Sequence, residues 1–229
     1  TELTAELTAE LTARKKQYEY YRDALLTYGD TVTRKKFGDL ASIVRGASPR
    51  PINNFLTKDG VNWIKIGDVP VGSKYILETK EKITSEGAKK SRHVKKGDFI
   101  LSNSMSFGRP YILAIDGCIH DGWLSISNFK NSFIPDFLYH VLSSNALQKE
   151  MAQKASFGGA VQNLNADIVK SLELPVPSID EQKQIVYILD RFETLCNDIT
   201  TGLPAEIEAR KKQYEYYRDK LLTFPEAKA

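Results

Sequence analysis

Cysteine is nearly absent: Cys118 and Cys196 are the only two in 229 residues, too few for a disulfide framework and not spaced as metal ligands. Histidine is as scarce, and His93, His120 and His140 are too dispersed to suggest a zinc site. His93 lies in a basic run, His140 reads as a packing residue on an apolar helix, and His120 has no evident place. No apolar run of about 18 residues occurs, and charged residues are scattered through the first 30, so neither a membrane span nor a signal peptide is expected. The expected location is the cytoplasm, with no membrane partner. The loops that handle nucleotides are missing too: no G-x-x-x-x-G-K-[ST] and no G-x-G-x-x-G is present, which removes a motor or dinucleotide role. Nor is there the D/N-P-P-Y/F/W tetrapeptide with which an amino-methyltransferase holds a flipped base. Ser102, Ser104 and Ser106 lack a visible base partner for nucleophilic catalysis. Asp68 and Glu78 to Lys80 imitate the carboxylate and lysine spacing of some metal-dependent nucleases, but such loose spacing recurs by accident in charged chains. The expectation is a non-catalytic protein without cofactor or metal.

What is present is an ordinary folding composition, 41% hydrophobic and 27% charged, which argues against wholesale disorder. The charge is unevenly placed. Residues 31 to 177 hold 20 lysines and arginines against 13 acids, a net of +7, whereas residues 1 to 30 (4 against 6) and 178 to 229 (8 against 10) are each at −2. A polyanion is attracted to the middle of this chain, and the flanks read as solvated helices.

An internal repeat is the most informative feature. Leu7 to Tyr28 realigns with Leu203 to Phe224 at 17 of 22 positions, including the unbroken string Ala13 to Asp23 against Ala209 to Asp219. Two such distant copies cannot stack as a solenoid; they suggest equivalent helices flanking one inserted domain. Leu7, Leu11, Tyr18, Tyr21 and Leu25 in the first copy, and Ile207, Tyr214, Tyr217 and Leu221 in the second, form apolar seams of coiled-coil type. The same stripes would also suit packing onto the chain's own globular part. TAEL recurs at Thr4 to Leu7 and Thr8 to Leu11, and each unit lengthens a helix by roughly 6 Å, so the segment can act as a ruler. Before the second copy, Ser178 to Glu181 has capping-box spacing and opens another amphipathic helix.

The central block alternates short β-like runs with turns, at Asn62 to Ile66, Asp98 to Ser102, Tyr111 to Ile115 and Gly117 to Ile119. The last two are expected to form a hairpin across Asp116-Gly117. Helices are expected at Pro135 to Lys154 and from Asn165, an N-cap, to Leu172. The fold class is therefore a mixed α/β domain, residues 30–177, flanked by long coiled-coil-forming helices in 1–29 and 178–229.

The ordered motifs WIKIGDV (Trp63 to Val69), GAKKSR (Gly87 to Arg92), KKGDFILSNSMSFGRPYIL (Lys95 to Leu113), DGW (Asp121 to Trp123), GGAVQNLN (Gly158 to Asn165), LPVPSIDEQKQIV (Leu174 to Val186) and IEARKKQYEYYRD resemble a target-recognition domain and the conserved helical region of type I restriction-modification specificity subunits. Each motif is weak alone; their joint order is specific. The resemblance implies sequence-specific recognition of double-stranded DNA, with methyltransferase subunits as direct partners and restriction motor subunits joining them. An intact subunit of that family carries two recognition domains, whereas this sequence carries one and is like half a subunit. A homodimer formed through the helices would restore the arrangement around a two-fold axis and read a bipartite, palindromic site.

For DNA contact, the cluster Lys89, Lys90, Arg92, His93, Lys95 and Lys96 suits phosphate neutralisation or a solvated loop. Arg45, Arg50, Asn103, Arg109, Lys154, Gln162 and Asn163 are candidates for reading base edges, since Arg pairs with guanine and Asn or Gln with adenine; any of them could instead cap or brace a turn. Two other functions use the same features. A free-standing dimeric DNA-binding regulator needs no methyltransferase, and a coiled-coil scaffold needs no DNA.

Overall fold

The computed structural model describes residues 2–29, 31–69, 73–103, 107–156, 163–197 and 202–222. It divides into two compact units, one formed by residues 26–183 and the other by 1–25 with 184–229.

The larger unit opens with β1 (Arg34–Lys36), α2 (Phe37–Leu40) and β2 (Ser42–Arg45), the helix α1 (Glu2–Leu25) belonging to the other unit. There follow β3 (Leu56–Thr57), β4 (Val61–Ile64), β5 (Tyr75–Ile76), β6 (Glu81–Ile83), α3 (Ser85–Lys89) and β7 (Arg92–Val94). Then come β8 (Phe99–Ser102), β9 (Pro110–Leu113), β10 (Gly117–Ile119) and β11 (Trp123–Ser127). The unit closes with α4 (Pro135–Ser143), α5 (Asn145–Ser156), α6 (Ala166–Lys170) and β12 (Glu173–Pro175). A five-stranded sheet runs β2-β11-β8-β9-β5, a second runs β3-β6-β4-β10-β7, and β1 pairs with β12.

Alternation along the strands explains how the sheets meet. Successive residues of a strand face opposite sides. Ile64 and Ile119 of the second sheet join Ile76, Ile100, Leu113 and Trp123 of the first in one buried cluster. Their neighbours Trp63 and Cys118 face the other way and pack with Ile83 and Ala88 of α3. The first sheet is covered on its far side by an aromatic layer, with Phe99 against Phe129 at 5.2 Å and Phe133 against Phe137 at 6.2 Å between ring centroids.

Two expectations are corrected here. Tyr111 to Ile115 and Gly117 to Ile119 are not a hairpin: β9 pairs with β8 and β5, while β10 pairs with β4 and β7 in the other sheet. Asp116 anchors the crossing, its carboxylate accepting from the Lys96 amide at 2.6 Å and its carbonyl from Asn62 at 2.8 Å. Because both strands are buried on both faces, the sequence pattern carries no sign of which sheet each joins. The expected helix Pro135 to Lys154 is two helices, parted where Ser144 turns extended. The Ser144 hydroxyl accepts from the Leu147 amide and so starts α5, as Asn165 caps α6 by accepting from Ile168 at 2.9 Å.

The smaller unit contains α1, the C-terminal part of α7 (Ile179–Asn197) and α8 (Leu203–Leu222). α1 and α8 contact one another, and Tyr21 of α1 stacks on Phe192 of α7 at 5.7 Å. The two repeat copies form the same local bonds, Glu10 to Arg14 and Glu206 to Arg210 one turn apart, with each arginine also donating to the glutamine three residues on. Of the seam residues, Leu11, Tyr18 and Leu25 are half-buried and Ile207 is buried, whereas Tyr21, Tyr214 and Tyr217 are exposed. The side chains of Leu7 and Leu221 lie outside the described residues. Among the described residues no helix is long and apolar enough to cross a membrane.

Candidate nucleic-acid interface

Strand pairing gathers five separate segments at one end of the larger unit. β4 and β10 run parallel with Ile64 opposite Ile119, so the residues that follow, Lys65 and His120, leave the sheet together. β11 starts at Trp123 and has Ser102 opposite it and Arg45 opposite Leu124, which brings Arg45 and Asn103 to the same edge. The Asn103 amide donates to Gly122 O at 3.1 Å, and the Leu164 amide donates to Asn103 O at 2.9 Å, drawing Asn163 alongside. The loop His120-Asp121-Gly122 is the common point.

The backbone approach there is close enough to require glycine. A Cβ on Gly46 would lie 2.0 Å from His120 O, and one on Gly122 would lie 2.1 Å from the His120 ring. With Gly46 admitted, its amide donates to Trp123 O and the Ala47 amide to Ile119 O, so the chain after β2 passes from one sheet to the other.

Asp121 organises the polar side chains. Its carboxylate accepts from Ser48 Oγ at 2.9 Å and from Arg50 Nη2 at 3.0 Å, and its carbonyl accepts from Arg45 Nε and Asn103 Nδ2, both at 3.0 Å. Burial works to raise the Asp121 carboxyl, but the Ser48 and Arg50 hydrogen bonds outweigh it and hold the group below its ordinary value. Burial lowers the His120 imidazole, against the pull of the Asp121 carboxylate. The result is a cleft of about 520 Å³ lined by Arg45, Lys65, Asn103, His120, Asp121 and Asn163 among others. Lys65 and His120 also line a neighbouring hollow with Arg50 and Trp63. Lys65 is paired with Glu81 and Arg50 with Asp121, so Arg45, whose partner is a carbonyl, carries the excess positive charge.

The sequence candidates divide by position. Arg45, Arg50, Asn103 and Asn163 are brought to this one place. Arg92 reaches it from β7, donating from Nε to Arg45 O at 3.4 Å. Lys90 lies over the Phe55 ring at 4.8 Å, Lys89 faces Glu86 on α3, and His93 is exposed on β7. Arg109 is elsewhere, over Tyr111 at 5.5 Å and lining a separate hollow with Phe107, Tyr139 and Gln148. Lys154, on α5, is engaged with Glu150 at 2.9 Å and with Ser171. Gln162 lies outside the described residues. Lys65, Ser48 and His120 are not among the contacts expected from the sequence, although Lys65 lies within WIKIGDV and His120 immediately precedes DGW. Asp68 braces the turn after β4, accepting the Lys65 amide at 2.9 Å, a structural use of that carboxylate.

Comparison with known proteins gives one answer. Residues 29–209 match the family described as the type I restriction modification DNA specificity domain. The chain is 36% identical over 98% of its length to the EcoR124I/EcoR124II type I restriction enzyme specificity subunit of Escherichia coli, covering 57% of that protein. It is 35% identical over 92% of its length to a putative type I restriction enzyme specificity subunit of Haemophilus influenzae, covering 53% of it. It thus spans about half the length of these curated relatives, although a putative specificity subunit of Mycoplasma pneumoniae, 31% identical over 95% of the chain, is covered to 82%. In fold it is similar to the crystal structure of the HsdS subunit from Thermoanaerobacter tengcongensis, with a TM-score of 0.64 and 17% identity over 87% of this chain and 49% of that one. A chain from a structure of type I restriction-modification assembly gives a TM-score of 0.71 at 15% identity, over 96% and 55%. The chain belongs to the type I restriction-modification DNA specificity family.

Proposed function

We propose that this chain reads double-stranded DNA as a specificity half-subunit, directing separate methyltransferase subunits, and through them restriction motor subunits, to a bipartite palindromic site. The observation that carries this reading is the Asp121 loop, which holds Arg45 and Asn103 at a cleft shared with Asn163 and Lys65, and Arg50 at the adjoining hollow. Guanidinium and amide groups fixed at one edge suit base contacts, with nearby cations positioning the backbone. Residues 30–177 act as the recognition domain, and 1–29 with 178–229 act as the helical spacers.

In this reading the helices form a coiled coil with those of a second copy, which sets the half-site spacing. Support comes from α8, where Tyr214, Tyr216 and Tyr217 are exposed within one chain. The test is selection from a random duplex pool at moderate salt, with and without a candidate methyltransferase, together with light scattering. Two inverted half-sites at one fixed spacing and a mass of two chains are expected. Unselective, salt-sensitive binding under both conditions rejects the reader, and a mass of one chain at micromolar concentration rejects the dimer.

A further inference from the structure

His120 holds a position that none of the arginines can duplicate. The Gly122 amide donates to its Nδ1 at 2.6 Å. Nδ1 is therefore the acceptor nitrogen, and the proton of the neutral ring resides on Nε2. The ring stands between Trp63 and Trp123, with centroids 6.3 and 6.5 Å away, and it lines both the cleft and the adjoining hollow. With Nδ1 committed to the loop, the nitrogen left to meet a ligand is Nε2.

We propose that His120 reads a base: its Nε2–H donates one hydrogen bond to an acceptor on a base edge, the orientation being fixed by the Gly122 amide. This rests on the reading of the cleft as the DNA interface and adds a specificity-determining residue to it. Three observations favour a base over a phosphate. Arg45 and Arg92, which donate to backbone carbonyls, already supply cations around the loop, and a cation is what neutralises phosphate. Burial favours the uncharged imidazole. Protonating Nδ1, moreover, would sacrifice the bond from Gly122. A neutral donor in a fixed direction distinguishes guanine N7 and O6, adenine N7 or thymine O4 from the amino groups of cytosine and adenine.

The experiment compares the unaltered full chain with His120→Asn and His120→Gln, by duplex-pool selection and by affinity over a salt series. Asn places a carbonyl where Nδ1 accepts from Gly122 but has no atom at Nε2, so it keeps the loop and removes the donor. Gln restores an N–H near Nε2. Thermal melting of each variant checks that the fold is kept. For His120→Asn, the preference at one base pair of each half-site is expected to weaken by roughly two- to tenfold, the worth of one hydrogen bond. The salt slope should stay unchanged, and His120→Gln should recover part of the preference. A slope reduced by about one phosphate with base preference intact would reassign His120 to the backbone. An unchanged profile in both variants would leave it a packing residue and refute the proposal. Absence of any selected sequence with the unaltered chain would overturn the reading beneath, and the base contact with it.

Discussion

The two units use their aromatic residues in opposite ways. In the larger unit Trp63, Trp123 and five phenylalanines are each 2% exposed or less, forming the layers on either side of the sheets. In the helical unit Tyr20, Tyr187 and Tyr216 are 70%, 62% and 61% exposed. The first unit closes a core of its own, while the second displays apolar area that one chain leaves uncovered. The two repeat copies sharpen the point. Arg22 is 7% exposed beneath Tyr18 at 5.6 Å, whereas its twin Arg218 is exposed; Tyr21, itself 41% exposed, stacks on Phe192, and its twin Tyr217 is 51% exposed. The string of residues is the same, so the difference is made by neighbours.

The largest expected effect tests the contrast between units. Trp123→Ala should cost about 3–5 kcal/mol, lowering the melting temperature by roughly 10 °C at the 2–4 °C per kcal/mol usual for this size. At concentrations low enough to hold single chains, Tyr216→Ala should stay within about 0.5 kcal/mol. Equal losses in calorimetry would break the comparison. Trp123→Phe sharpens it, because Trp123 Nε1 is buried without an acceptor among the described residues; losing that N–H forfeits no hydrogen bond there, and the cost should be well below that of alanine.

A middle-sized effect separates the twin helices. Arg22→Ala removes a buried stem, a cation over Tyr18 and a bond to Asp23 at 3.3 Å, worth about 1–3 kcal/mol together. Arg218→Ala should leave melting unchanged. A matching loss at both would mean that the copies are equivalent in a single chain.

Much of the local structure was legible because its causes are local. The repeat, the TAEL segment and the Asn165 cap announce helices within a few residues, and Gly117–Ile119 is a strand as expected. The sheets were not legible, because strands buried on both faces carry no label for their partners. The site shows the same division. Arg45, Arg50, Asn103 and Asn163 are polar residues beside motifs, and so are Arg109 and Lys154, which the fold puts elsewhere. Nothing in the local sequence separates the two groups. What separates them is the parallel pairing of β4 with β10 and the glycine contact at Gly46, both of which join residues far apart in the chain. That pairing also sets Lys65 beside His120.

The smallest expected effect is acid sensitivity, and it belongs to the larger unit, since all three histidines lie between residues 26 and 183. His120 has its pKa lowered by burial. As pH falls below about 6.5, the unfolded chain takes up a proton that the folded loop resists, so this stability is present above that pH and declines as acid is added. Asp121 is also lowered, by Ser48 and Arg50 against burial. Its contribution is present above about pH 4 and is lost as pH falls through the lower folded value. Burial is the largest cause of the His120 shift and Lys65 adds to it, against the opposing pull of the residue's own carbonyl, Asp121 and Asp68. Melting followed from pH 8 to pH 3 should therefore decline in two steps. His120→Asn should remove the upper step and keep the lower, and Asp121→Asn should do the reverse. If His120→Asn left the decline between pH 6.5 and 5 untouched, the acid sensitivity of that range would lie outside the loop.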